Sequence, residues 1–418
     1  MNWLIKICDT IIVLLNVSMN SSVVPYLFFH QHLRIYDYII VILLDILYIS
    51  CRFKKKRIPH DILFYLFILV NISNLLSIII NDTWSTIVCF YLILNCLFFF
   101  ILYNIFCIKG NSIDSLKYSI KGYLFLCVWS VIGIIIMSLL VFIGFDPTRS
   151  LNITEDYDLF RANSEDLGHT YYYPYHISVI LCSKLNSFRI CGLFHEPHVS
   201  TFYIFPALFF FFIFLKNKIM KIILLLLWCF VMVIDLSTTN ILVFIFVLGF
   251  YLFLEKTLRW WLVPFALLLL FVIYIGIENT ELFFLYDKLI GDDSSSREYT
   301  LGTLKFAFTP HSLLGSNFLN NNYLFSSGEY NRDVGFLSFS LNILFLLILL
   351  VRTIRFVFMP QYRLIGLGIL YFILHSTKTA MTTYSSPLLI LIIFVLYCLS
   401  MIKCDNMRYE LYIKNRKE

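Results

Sequence analysis

Twelve apolar runs follow one another along this chain, near residues 9–29, 36–51, 62–80, 85–107, 122–144, 199–215, 222–238, 240–254, 261–277, 334–351, 364–380 and 385–402. A helix crossing a hydrocarbon core of ~30 Å needs about 20 such residues. No water-soluble fold hides so much apolar surface. The composition agrees: 60% of the 418 residues are hydrophobic and only 14% charged, where a soluble domain carries about a quarter charged residues. The expectation is an all-α fold, a polytopic integral membrane helix bundle of about 12 transmembrane helices. The N-terminal run has no small-residue cleavage site and reads as a retained first span rather than a removed signal peptide.

Basic residues orient the spans. "RFKKKR" at 52–57 places the loop after the second span in the cytoplasm, and alternation puts every even loop beside it. Counting Lys6 and the C-terminal tail, 22 of the 32 Lys and Arg residues then fall inside and 10 outside. Both termini are expected in the cytoplasm. The net charge of +6 is therefore a topology signal rather than a sign of an anionic partner, and no nucleic acid is expected. Two outer loops are long, 145–198 and 278–333. They elaborate a single membrane domain spanning 1–418. Neither holds a G-x-G-x-x-G or Walker pattern.

Cysteines are scattered through the apolar runs without metal-ligand spacing. Only Cys182 and Cys191 share a polar loop. Two free thiols is the favoured reading there, with a disulfide open if the loop faces an oxidising compartment. "DYD" at 156–158 has the form of a D-x-D metal motif, but nucleotide sugars are absent outside the cytoplasmic membrane, and a metal role is rejected. "HTYYYPYH" at 169–176 is read as part of the aromatic interface belt, ahead of sugar stacking. Asp45, mid-span in "IIVILLDILYIS", is an intramembrane acid. Helix packing is slightly favoured for it over a proton-coupled role.

The outward basic residues run against the charge bias and need a reason. Arg149, Arg161, Lys184 and Arg189 occupy the first long loop; Lys288, Arg297, Lys305 and Arg332 occupy the second. An arginine fork grips phosphate through two parallel hydrogen bonds, so two such loops facing one cavity suit a pyrophosphate. The plainer alternative is interfacial anchoring or pairing with nearby aspartates.

"RICGLFHEP" (189–197), leading into an apolar run, resembles the R-x-x-G-x-F-x-E-P pattern of bacterial O-antigen polymerases (the Wzy family), relatives of the O-antigen ligases. Four later segments are similar to that family in the expected order: "DLSTTNILVFIFVL" (235–248), "SREYTLGTLKFAFTPHSLLGSN" (296–317), "NRDVGFLSFSLNILF" (331–345) and "STKTAMTTYSSPLLIL" (376–391). The chain departs from the pattern at Asn240, where an arginine is common, and at "RDVGF", where related ligases and some polymerases carry a histidine–asparagine pair.

The resemblance implies a glycosyltransferase that needs no cofactor. It joins undecaprenyl-pyrophosphate-linked repeat units at the periplasmic face of the bacterial inner membrane. Donor and acceptor are both lipid-linked glycans, and a chain-length regulator is an expected partner. Negative charge develops on the departing pyrophosphate, and preorganised cations stabilise it. Arg189 and Arg297 are assigned to that task. Glu196 is the candidate general base, supported by His195; its alternative is a structural clamp to Arg189. Arg161, Lys305, His311 and Arg332 complete the expected substrate-binding set. Pro197 is expected to open the sixth span, where a missing N–H costs nothing. The competing functions are an O-antigen ligase and a transporter or flippase of lipid-linked repeats.

Overall fold

The computed structural model describes residues 2–21, 34–53, 61–80, 86–107, 112–154, 164, 168–182, 187–194, 197–235, 238–254, 336–375 and 390–402. It is mostly helical, with eleven α-helices among these residues. They are α1 (Asn2–Ser21), α2 (Arg34–Arg52), α3 (Ile62–Ile80), α4 (Thr86–Phe106), α5 (Ser112–Phe142), α6 (Pro197–Phe214), α7 (Lys218–Asp235), α8 (Thr238–Leu254), α9 (Phe336–Phe358), α10 (Arg363–His375) and α11 (Ile390–Ile402). Each coincides with one of the apolar runs. The run at 261–277 and the loop 278–333 lie outside the described residues. By length and composition, one stretch of the described chain, Ile113–Phe142, is long and apolar enough to cross a membrane. Shorter apolar stretches include Ile62–Leu76, Leu92–Phe106 and Val199–Phe214.

Helices α1 and α5 start well before their apolar runs, and polar side chains there find partners. Helix α1 extends back to Asn2, where Lys6 sits over the Tyr118 ring at 4.8 Å and buried Asp9 accepts from Tyr48 and Arg52. Helix α5 begins at Ser112 with Asp114 in its first turn, where a negative charge complements the helix dipole. At 31 residues and 1.5 Å per residue it is about 46 Å long, longer than a hydrocarbon core, and its first turns carry Lys117 and Lys121.

Helix α6 is the axis of the core. It packs against α7, α8, α10 and α5, and its residues 202–208 are almost wholly buried. Pro206 lies within it and has no N–H to give to the carbonyl one turn back. Neighbouring helices supply donors around this break. The Tyr123 hydroxyl of α5 donates to the Tyr203 carbonyl at 2.5 Å, and the Trp228 indole of α7 to the Ile204 carbonyl at 2.9 Å. The carbonyl that Pro206 leaves without its helical donor is that of Phe202; these bonds reach the neighbouring carbonyls and tie α6 to α5 and α7.

The segment between α5 and α6, expected only as a loop, contains a three-stranded antiparallel meander: β1 (His169–Tyr172), β2 (Ser178–Cys182) and β3 (Ser187–Gly192), in the order β1-β2-β3. Tyr171 pairs with Ile180, Ile180 with Arg189, and Val179 with Ile190. Side chains alternate across a sheet. Val179 and Ile190 join the core of the helices. Tyr171, Ile180 and Cys182 form a second small core with Ile153, Tyr173 and Cys191. Buried on both faces, β2 has no polar–apolar alternation to announce a strand. The tyrosines therefore correct the interface-belt expectation: Tyr171 and Tyr173 are interior residues of this layer. Tyr175 alone projects, 72% exposed, from a tip where it and His176 have φ of 47° and 65°. Cys182 and Cys191 are free thiols.

Candidate functional site

The segment that carries the family resemblance divides into residues with separable jobs. Gly192 ends β3 with φ +66°, a conformation that suits glycine. A Cβ there would lie 2.2 Å from Ser130 Oγ and 3.0 Å from Ile134 Cγ1. The missing side chain lets the strand end rest directly on α5. Ser130 Oγ then accepts a hydrogen bond from the Leu193 amide at 3.1 Å. Leu193 is fully buried, and so is Phe194, whose ring stacks on Tyr203 of α6 at 4.7 Å. Pro197 is the first residue of α6, as expected. Strand β3 is thus clasped to α5, and its exit is pinned to α6, by apolar and backbone contacts.

Arg189 is part of β3, opposite Ile180. The register puts it on the Tyr171–Ile180 face, away from the helices, and it is half-buried there. His195 and Glu196 fall between the anchored Phe194 and Pro197, but lie outside the described residues, as do Arg161, Arg297, Lys305, His311 and Arg332. Whether Glu196 meets Arg189 is therefore not among the described contacts. Arg149 takes the plain alternative. It is exposed and pairs with Asp146 at 3.7 Å, a closer partner in sequence than the aspartates expected for it. The Asp146 carboxyl is held below the usual carboxylate range, chiefly by side-chain and backbone hydrogen bonds from Thr148, with a smaller contribution from Arg149.

Next to this anchored strand the structure gathers polar side chains of which only Asn240 stands out in the sequence. The first turns of α6 and α8 meet the last turns of α10. The Tyr371 hydroxyl donates to Asn240 Oδ1. His375, the last residue of α10, stacks on Phe202 at 4.7 Å and lies 5.6 Å from the Tyr371 ring. Ser200, Thr201, Asn240, Tyr371 and His375 are all fully buried. Ser200 Oγ and Asn240 Nδ2 have no hydrogen-bond partner, which is uncommon for buried polar atoms. Asn240 occupies the position where the family pattern favours arginine. The signal for this cluster was present in three helix termini, but only their packing shows that the three ends adjoin.

Chemically, the described part of the cluster offers an imidazole, a phenol, a primary amide and hydroxyls, with no carboxylate among them. Among the described residues no three His, Cys, Asp or Glu side chains come together as a metal site. Arg189, on the outer face of the sheet, and the Asn240–Tyr371–His375 group, on the helix side, are separate features joined through β3 and the first turn of α6. No family model, curated protein or solved structure matches this chain.

Proposed function

We propose that this chain is an integral membrane glycosyltransferase that polymerises undecaprenyl-pyrophosphate-linked oligosaccharide repeats, in the manner of the O-antigen polymerases it resembles. The observation that carries this reading is the anchoring of "RICGLFHEP". Its glycine and phenylalanine secure a strand to the helical core, and its proline starts a core helix. Its polar members Arg189, His195 and Glu196 are the ones the resemblance assigns to chemistry, and Arg189 is half-buried on β3. A lipid-borne donor needs no nucleotide-binding domain, and the sequence contains no such motif.

A bundle of about twelve spans with both termini in the cytoplasm and two long periplasmic loops is part of this proposal. The helices carry broad exposed apolar faces, such as Leu43, Ile46 and Leu47 on α2, Ile132, Ile136 and Leu139 on α5, and Ile222, Leu226 and Phe230 on α7. Patches of that extent are foreign to a protein surface bathed in water. Contacts at the helix ends are also consistent with the proposed sides. Arg52 reaches Asp9 at 3.3 Å and Ser115 at 3.1 Å, and Arg352 holds both oxygens of Asp61 at 2.9 Å. Alternation places every one of these residues at the cytoplasmic side. The Asn240–Tyr371–His375 group and the sheet fall at the opposite side.

In the proposed reaction an acceptor sugar hydroxyl attacks the anomeric carbon of the donor glycan. The glycosidic bond forms as the bond to pyrophosphate breaks. Undecaprenyl pyrophosphate leaves with the electron pair, and the hydroxyl proton passes to a base, with Glu196 as candidate. Arg189 and Arg297 are assigned to the leaving charge. Deleting the gene tests this. A polymerase deletion leaves a surface glycan of a single repeat unit. Long lipid-linked polymer left unattached would indicate a ligase, and loss of all outward-facing repeat would indicate a flippase; either result rejects the proposal.

A further inference from the structure

Asp45 and Asn16 are fully buried and face each other between α2 and α1. The Asn16 amide nitrogen spends both protons, one on the Ile12 carbonyl of its own helix at 2.9 Å and one on Asp45 Oδ1 at 2.8 Å. The other two oxygens of this bonded pair, Asp45 Oδ2 and Asn16 Oδ1, receive no hydrogen bond. Toward one end, Met19, Val41 and Leu94 of α1, α2 and α4 close a buried cluster whose one polar member is the phenol of Tyr38 on α2.

Among the described residues, no charged side chain of the packed helices is placed to compensate Asp45. Helix α4 carries none. Asp37 of α2 is itself an acid. Arg34 is eleven residues back from Asp45, about 16 Å at the helical rise. Arg52 is seven residues on, about 10 Å, and is engaged by Asp9 and Ser115. On α1, Lys6 sits over the Tyr118 ring. An isolated carboxylate in such surroundings is very costly. A positive charge between the two bare oxygens removes that cost and provides both with a partner.

We infer that Asp45 and Asn16 form a binding site for one monovalent cation, a proton or a sodium ion, held between Asp45 Oδ2 and Asn16 Oδ1. As a proton it resides on Asp45 Oδ2 and is donated to Asn16 Oδ1, closing a reciprocal acid–amide pair. As sodium it takes the two oxygens as hard ligands. The site is independent of the proposed polymerase activity.

The test uses the full-length protein in lipid nanodiscs at pH 7. Infrared spectra of wild type and Asp45→Asn are compared for the carbonyl stretch of a protonated carboxylic acid. Unfolding temperatures are compared in sodium chloride and in N-methylglucamine chloride at equal ionic strength. A proton gives an acid band that Asp45→Asn removes. Sodium gives no such band but a sodium-dependent rise in unfolding temperature that Asp45→Asn abolishes. Wild type with neither the acid band nor the sodium response overturns the inference. Should Asp45→Asn fail to fold, Asn16→Val replaces it. That variant must shift the acid band or lose the sodium response, and a spectrum and response both unchanged overturn the inference equally.

Discussion

Gly192 shows how one residue can hold an outer layer to a helical core. Alanine there would adopt an unfavourable positive φ and drive its Cβ into Ser130 Oγ. Gly192→Ala should destabilise the protein by on the order of 2 kcal/mol, the scale of overpacking combined with backbone strain. Ser130→Ala removes the nearest clashing atom, so the double variant should lie closer to Ser130→Ala alone than additivity allows. Thermal unfolding of the four proteins in detergent measures this, and strict additivity would disprove the contact. The arginines make a different kind of prediction. Lysine has charge but no planar fork. Arg189→Lys and Arg297→Lys should each lose most polymer while membrane levels stay normal, and normal polymer length would remove that arginine from the site. Glu196→Gln keeps size and acceptor capacity but loses basicity. As the base, it should bind lipid-linked repeat normally and turn over at least about a hundredfold more slowly. Turnover within about threefold of wild type, less than the general-base range, excludes that role and makes His195 the next to test.

Helix α6 is where element-scale packing is most exposed to change. Around Pro206 it depends on donors from α5 and α7. Tyr123→Phe and Trp228→Phe each remove a buried hydrogen bond to a carbonyl that also takes part in the α6 helix, a loss of about 0.5–1.5 kcal/mol. The two donors serve the carbonyls of consecutive residues, and both variants should lower the unfolding temperature; no change in either would mean these bonds contribute nothing to holding α6 against α5 and α7. The Arg352–Asp61 pair ties α9 to the start of α3 and is partly open to solvent, with side chains 34% and 25% exposed. A double-mutant cycle with Arg352→Ala and Asp61→Ala should give a coupling of about 1 kcal/mol or less, shrinking in high salt.

At the scale of the whole molecule, the proposed topology puts the sheet and the buried polar cluster on one side and the Arg52 and Arg352 networks on the other. Labelling tests it directly. On a cysteine-free background, Ser150→Cys and Ser294→Cys should both react with an impermeant thiol reagent in intact spheroplasts. Protection of both until permeabilisation would invert the arrangement.

The positions of eleven helices were legible in the sequence because burial of apolar length is a local property, written in each run by itself. Pro197 as a helix start was legible for the same reason, since a missing N–H is free only in a first turn. The meander was not legible. Its strands are four to six residues long, and β2 is buried on both faces, so it shows no period of two. Asp45 stood out as an acid in an apolar run, but its amide partner lies twenty-nine residues away on another helix. The meeting of Ser200, Asn240, Tyr371 and His375 depended entirely on tertiary packing: Asn240 aside, each is unremarkable at its own helix end, and only the crossing of α6, α8 and α10 buries them together. Sequence determined which segments must leave water, because that follows from each segment's own transfer free energy. The tertiary structure alone decided which polar atoms share a buried space, because that depends on contacts between residues far apart in the chain.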